Sequence, residues 1–587
     1  MGLYCQTVMQ AFANARLAVF RRLISVRNTV VSRLGAAPAV VHFKDWKTRI
    51  PINMIKGNYT GIGLPGVILL ALMAVSCDSG PGLFDPSASE VKQGATVNTV
   101  PADSVVDNTV VPGNSKEKLD GAESSVSLYQ KEIELPVCDP GNPEVLFISD
   151  DSGWKQINTT SYRVFCIKPG NYASVAGIVL KTSGTETLPR VLMLDGSQSA
   201  NPSLLPDKEQ AIISSLKFEK ARHWVVKGLS IINTPKGEAV VEFDTGSSYN
   251  LLDSMRIEHF QQGIKIDDGA HGNTIQNSLI GDMLIRKGGD SVCIGLQGFR
   301  TRAATVKILD TKILNNEIYD CNDGIQTIIN PAIRYTADFS GLVVDGNDIY
   351  LTPNSYSNCS GKMDPEGACA CAENAIDLKS GAEDKSKPVR VINNRLWGWK
   401  KTDTRCGGSG SWGSAISAHF RLKNAEISRN TIFSSSRGIS ITEGPRAILV
   451  TDNLIHGINS TVKNEGIALV ATADVVDLKV DGNTIVDSTS WMDFGARESS
   501  VECNVIIGSG AGSGVPRDGT VVARNSYYGT TPWRGTAGND VVYGGAEDSR
   551  NVDHCFLSKR ISGQQSVCLP FGDASPASPH HACASGN

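Results

Sequence analysis

Residues 428–455 read SRNTIFSSSRGISITEGPRAILVTDNLI, and two short phrases alternate within them. The first is Asn, any residue, then Ile or Leu, at Asn430 and Asn453. The second is Gly or Ala, then Ile or Val, opening a short alternating run at Gly438-Ile439. Outward from this stretch, the Asn phrase recurs at Asn273, Asn316, Asn347, Asn394, Asn483 and, weaker, Asn504. The Gly-Ile phrase recurs at Gly263-Ile264, Gly324-Ile325, Ala375-Ile376, Ala415-Ile416 and Gly466-Ile467. Short β-phrases repeated with Asn-bearing turns are the mark of a chain wound into a solenoid.

Each phrase is too short to stand alone, so it must stack on its neighbours to bury its apolar side. Ile416 and Ile439 lie 23 positions apart, as do Asn430 and Asn453. That length suits one coil of three short strands, at about 3.3 Å per residue. We therefore expect an all-β chain, a single-stranded right-handed parallel β-helix over 136–545 with long loops on one face. Ile264, Ile325, Ile376, Ile416, Ile439 and Ile467 should point inward. The Asn should sit in the turn, tolerating a left-handed backbone, and stack into a ladder. Leu-x-x-Leu-x-Leu runs and tandem Gly-Asp nonapeptides are missing, which excludes the leucine-rich and calcium-nonapeptide solenoids.

Formal net charge is −4 over 587 residues, with charged side chains dispersed. No basic run marks the repeats, so no nucleic-acid partner is expected. Residues 61–76 are strongly apolar and end at Cys77. They are short for a membrane span, which takes about 20 residues, and suit a signal-peptide core. Ala74-Val75-Ser76-Cys77 resembles a bacterial lipobox, which implies lipidation at Cys77 and a natural start at Met54. Residues 1–77 then form the signal region and 78–135, rich in Ser, Asp, Gly, Val and Thr, a flexible tether. Residues 546–587 read as a Cys/Ser/Pro-rich tail. The expected product is exported, either as a membrane-anchored lipoprotein held by lipid alone or as a periplasmic or extracellular monomer. Of 14 cysteines, the twelve beyond Cys5 and Cys77 are an even set suited to disulfides.

Side chains alternate along a strand, so with each Ile inward the residues one and three places later face out. Coil by coil this gives Lys265 and Asp267, Cys293 and Gly295, Gln326 and Ile328, Asp377 and Lys379, Ser417 and His419, Ser440 and Thr442, then Ala468 and Val470. Coils are longest at Asp377: Ile325 to Ile376 spans 51 positions and Ile376 to Ile416 spans 40. The excess falls in loops 351–372 and 400–413, near Trp397, Trp399 and Trp412. Such loops make groove walls, and aromatic rims suit sugar faces. Gln326, Ser417 and the three tryptophans are the expected substrate-binding residues. Asp377 and Lys379 share a face about 6.6 Å apart along the strand. Alone, such a pair is usually solvated and worth little. The loops, Glu373 upstream and His419 with Arg421 on the next coil raise its standing. Asp267-Asp268 with His271-Gly272 reads as a plain turn.

Ile376-Asp377-Leu378-Lys379-Ser380 resembles the Ile-x-x-Lys-Ser strand of chondroitinase B and the related alginate lyases, and His419-Phe420-Arg421 partly resembles that family's next coil. Residues 163–185 resemble its entry phrase. The family places an acidic residue where this chain has Asn374, with Glu373 one place further out, and an Arg in the register of His419. The resemblance implies β-elimination on an acidic, uronic-acid-containing polysaccharide, with Ca²⁺ as cofactor. Glu373, Asn374, Asp377 and Asp323 are the implied metal ligands. Lys379 is the implied base, provided that its pKa is lowered. His419 and Arg421 would stabilise charge or protonate the leaving oxygen. Two further readings are kept. A non-catalytic glycan-binding or adhesin-like β-helix is favoured if Lys379 is tied to Asp377 beneath covering loops. A glycoside hydrolase is favoured if Asp323 and Asp377 stand about 5–9.5 Å apart.

Overall fold

The computed structural model describes residues 136–543, apart from segments 175–176, 197–208, 284–291, 298–304, 329–335, 353–372, 401–412, 461–464, 516, 518 and 534–540, together with the pairs 554–555 and 568–569. Cys77, Met54, the 78–135 tether, Trp412, the loop cysteines 359, 369, 371 and 406 and most of the 546–587 tail lie outside these residues.

The strands run in parallel from Val145–Ile148 to Val541–Tyr543 and stack in three columns, giving a parallel β-helix. One column holds 14 strands. At about 4.8 Å per step it is roughly 60 Å long. Its inner row includes Leu252, Ile275, Ile313, Val344, Val391, Ile427 and Val450, all buried. A second column of mostly three-residue strands stacks Ile280, Ile318, Ile349, Leu396, Ile432 and Ile455. The third carries the Gly-Ile phrases, with Ile325, Ile376, Ile416 and Ile439 directly above one another and buried. Full burial of each such side chain contributes about 1.5–3 kcal/mol.

The short helix Asp151–Trp154, capped by Asp150, follows the first strand and buries Trp154 in the core. Trp154 and Tyr172 meet edge to face there. Two disulfides, Cys138–Cys166 and Cys293–Cys321, staple positions 28 residues apart on neighbouring strands or coils, and Cys503 is also disulfide-bonded.

The asparagine ladder runs from Asn316 through Asn347, Asn394, Asn430, Asn453, Asn483 and Asn504 to Asn525. Each side-chain amide donates to the next coil's Asn Oδ1 at 2.9–3.0 Å. Each Oδ1 also accepts the preceding Asn backbone N–H, so two buried donors share one acceptor. Two expectations are corrected. Asn273 belongs to a different corner, where it bonds Asn250, and Ser278 takes the ladder position of that coil. The left-handed residue is the one before each ladder Asn: Asn315, Gly346, Asn393, Arg429, Asp452, Gly482, Cys503 and Arg524. The asparagine supplies hydrogen bonds, and its predecessor makes the bend.

The third column also corrects two registers. Ile294 and Gly295 stand opposite Ile325 and Gln326, so Gly295 and Gln297 face out, while Cys293 is buried in the core and bonded to Cys321. Leu469 stands opposite Ile439. Ile467 instead faces Arg437 across the corner and is 9% exposed. The Gly or Ala of each phrase marks that corner. A Cβ at Gly324 would lie 2.4 Å from the Ala375 carbonyl oxygen and at Gly438 2.3 Å from that of Ala468.

Candidate active site

Strand Asn374–Ser380 lies between Asp323–Ile328 and Ser414–Arg421, and its outward Asp377 sits opposite Gln326 on one side and Ser417 on the other. Side chains two places apart share a face, so Lys379 reaches Asp377, with Nζ 3.0 Å from Oδ2. The ladder breaks after Leu378, where the longer strand bulges between Ala418 and Arg421. Phe420 takes a left-handed φ of 57° there. Such bulges re-aim side chains. The Thr327 hydroxyl covers the break by accepting the Lys379 backbone N–H at 2.8 Å. Thr327 was not singled out from sequence, because its role depends on a contact with a residue 52 positions away.

His419 does not face Lys379 in register. It stands opposite Thr442 and turns Nε2 to Asp377 Oδ1 at 2.7 Å. Its Nδ1 lies 3.6 Å from Glu443 Oε2. Glu443 is a second residue that the sequence did not mark. Arg421 sits beyond the bulge, opposite Ser380 and exposed.

Gln326 donates from Nε2 to both Asp323 Oδ2 (2.8 Å) and Asp377 Oδ2 (2.9 Å). Asp323 Oδ1 accepts the Asn374 backbone N–H at 3.0 Å. Gln326 thus orders the carboxylates. Among the described residues, its Oε1 and the buried Ser417 Oγ have no hydrogen-bond partner. Asp323, Glu373 and Asp377 each offer a carboxylate oxygen, all within 4.8 Å of one another. An all-oxygen set suits a hard cation such as Ca²⁺, and the unpaired amide oxygen of Gln326 beside two of these groups adds an oxygen donor of the same kind. The residues fit such an ion. Asn374 is buried next to Asp323.

Burial raises the Asp323 carboxyl well above its ordinary value, and the charges of Glu373 and Asp377 push it further. Burial would also raise Asp377, but the His419 hydrogen bond and the charges of His419 and Lys379 outweigh it and hold it low. For Lys379, burial works to lower the pKa. The charges of Asp377 and Asp323, the Asp377 hydrogen bond and the Glu373 charge prevail, so the net shift is upward. This is opposite to the condition a lysine base needs, and it arises because one ammonium faces three carboxylates.

The aromatic rim is corrected in two places. Trp399 is 1% exposed within the core, so it offers no face to a ligand. Trp397 lies in the second column, with both ring faces taken by Tyr350 and Phe433 at 4.4 and 5.4 Å between centroids. That stack extends to Tyr319 and His456 as an outer aromatic ladder. The Asp267-Asp268 and His271 segment is a turn: Asp267 pairs with Lys265 at 2.7 Å, and His271 Nδ1 accepts the Leu309 N–H.

The sequence matches no known family profile and no curated protein. Solved structures of polysaccharide lyases share its fold class. The PL6 family alginate lyase AlyGC superposes with a TM-score of 0.44 at 13% identity, over 68% of this chain and 53% of its own. A mannuronic acid specific family 6 lyase from human gut microbiota gives 0.43 at 13% identity, over 66% and 90%. Pectate lyase Pel9A gives 0.32 at 12% identity, over 68% and 77%. At such identities the likeness says nothing of what this chain acts on.

Proposed function

We propose that the chain is an exported polysaccharide lyase that cleaves a uronic-acid-containing polymer by β-elimination. The observation that carries this reading is Asp377 joined to both Lys379 and His419 beside two further carboxylates, on the outward face of one column. In the reaction the C5–H and C4–O bonds break and a C4=C5 double bond forms. Lys379 Nζ takes the C5 proton. His419 or Arg421 supplies a proton to the leaving oxygen, and Asp377 holds Lys379 and His419 in place. Asp323, Glu373 and Asp377 would hold a divalent cation such as Ca²⁺. When bound, it would offset the uronate carboxylate, acidify C5–H and cancel the surplus charge that keeps Lys379 protonated.

A hydrolase is less well supported, because Gln326 clamps Asp323 and Asp377 together instead of leaving room for a bond between them. The tie between Lys379 and Asp377 also suits a non-catalytic glycan binder. The two disulfides fit an oxidising, extracytoplasmic compartment. Palmitate labelling of the full chain and of Cys77→Ala tests the lipid anchor.

The deciding experiment is incubation with alginate, pectate, chondroitin and dermatan, with calcium and after chelation. Ultraviolet absorbance of unsaturated uronate is the readout. Product on one of these polymers supports the lyase. Absence of product on all of them, with retention on an affinity gel, replaces it by the binder. Calcium should also raise the melting temperature of the wild type, by about 2.7 kcal/mol of stability at a hundredfold excess over Kd, and Glu373→Gln should lose most of that rise.

A further inference from the structure

The face that carries Asp377 continues toward the C-terminal end. Its outward row runs Asp377, Ser417, Ser440, Val470, Asp493 and Ser513, one residue per coil. Around Asp493 the surface opens into a cavity of about 900 Å³, lined in part by Thr472, Phe494, Val515, Arg497 and Arg517. Asp493 is four coils from Asp377, or ~19 Å along the stack, which is the length of about four sugar units of an extended polymer.

Among the described residues, several arginines on the coils are paired with carboxylates, and the two in this cavity are not. Arg256, Arg390, Arg395 and Arg524 each lie within 3.1 Å of a carboxylate. Arg497 and Arg517 are exposed, and neither guanidinium has a hydrogen bond or ion pair among the described residues. Two unpaired forks beside one hollow form a natural receptor for a carboxylate, which Arg binds in a bidentate manner. Val515, 71% exposed, adds an apolar surface for a ring face. Asp493, half-buried, adds an acceptor for hydroxyl groups.

We infer that this cavity is an outlying subsite for an acidic sugar of the polymer whose reacting unit lies at Asp377. Arg497 and Arg517 hold the carboxylate of that sugar, and Asp493 takes its hydroxyls. The inference rests on the uronate substrate class proposed above and not on the elimination chemistry.

Calorimetric binding of alginate- and pectate-derived oligosaccharides to the full chain tests it, in a Lys379→Ala background that prevents turnover. An octasaccharide, long enough to reach both places, should bind roughly tenfold to hundredfold tighter than a trisaccharide, as expected for charge-assisted hydrogen bonds. Arg497→Ala with Arg517→Ala should remove that gain while leaving trisaccharide affinity and melting temperature unchanged. Arg497→Lys with Arg517→Lys should keep part of it. A gain that survives the double alanine variant overturns the subsite, as does a Lys379→Ala parent that shows no gain with length or binds no uronate oligosaccharide. If the gain is lost in the variant but no polymer yields unsaturated product, the lyase reading falls and the subsite stands. If product forms and the gain survives, the reverse holds.

Discussion

Two patches of the same face carry the same residue pair and are built to different ends. In the earlier coils, Lys265 ties Asp267 at 2.7 Å and Glu242 at 3.2 Å, while Lys217 ties Glu242 at 2.9 Å and Asp244 at 3.1 Å. The charges alternate and close on one another. Further along, Asp377 and Lys379 repeat the spacing of Lys265 and Asp267 with the order reversed. There one lysine meets three carboxylates, and Gln326 Oε1 and Ser417 Oγ have no partner among the described residues. A Lys and an Asp two places apart therefore do not identify a site. The coils above and below decide whether the pair is a structural clasp or a group of charges with unmet demand.

The sharpest way to break this comparison is to remove each lysine in turn. Lys379→Ala should lower the rate of unsaturated-product formation by about 10²–10⁴-fold. It should also cost stability, because Lys379 is mostly buried and its loss leaves buried Asp377 beside two further carboxylates, with His419 and Gln326 as its remaining partners among the described residues. A residual rate within about threefold of wild type would defeat the assignment of a base. Lys265→Ala should differ in the rate and not in the sign of its effect on stability. It takes one partner each from buried Asp267 and from Glu242, and breaking a buried pair costs about 3–5 kcal/mol. Denaturant unfolding should register that loss while the rate per folded molecule stays close to wild type. If the two variants show the same profile, the distinction between clasp and site fails.

A smaller effect is expected away from both patches. Asn394→Ala removes the acceptor of two buried donors, the backbone N–H and side-chain amide of Asn347, and the donor to the Val344 carbonyl. The stability lost should be about 1–3 kcal/mol by denaturant melt, with the product unchanged. The smallest effect is one of pH. Burial works to raise Glu242, but the hydrogen bond from Lys217 and the charge and hydrogen bond of Lys265 lower it from 4.5 to about 2. A depressed carboxylate contributes stability that is present above its unfolded pKa and lost as pH falls toward its folded one. Between about pH 4.5 and 2, Glu242→Gln should therefore lose less stability than wild type. Parallel acid limbs for the two would show that the clasp does not hold this carboxylate down.

Much of the stacking order was readable from particular residues. Ile325, Ile376, Ile416 and Ile439 announce their column because each follows a small corner residue. The asparagines from Asn316 to Asn504 announce the ladder because their hydrogen bonds need the same side chain on every coil. The failures have physical causes. Asn273 carries the same phrase as Asn316, yet it sits at another corner, and nothing local separates the two. Apolar residues two apart keep the same face, so Ile467 and Leu469 were interchangeable by pattern. The outward pair at Cys293 and Gly295 was likewise read two places early, since Val292 and Ile294 are both apolar. At the site, Asp377, Lys379 and His419 were legible from strand alternation. The upward shift of Lys379 was not, because it comes partly from Asp323, more than fifty positions away. The stacking of Trp397 between Tyr350 and Phe433 was likewise hidden, because it depends on coil lengths that sequence spacing does not fix.

Successive ladder asparagines are separated by as few as 21 residues and as many as 47, yet the bond between them stays at 2.9–3.0 Å. Inserted length is absorbed elsewhere in the coil and leaves no trace at that corner. The ladder thus uncouples two kinds of change that conflict in most folds. Loops over the outward face can lengthen, shorten or be exchanged without forcing the interior to repack, because each coil is re-indexed at its asparagine. A chain of this design can acquire a new specificity by loop grafting at little cost in foldability. The same property recommends the corner from Asn316 to Asn525 as the fixed reference when foreign loops are transplanted onto it.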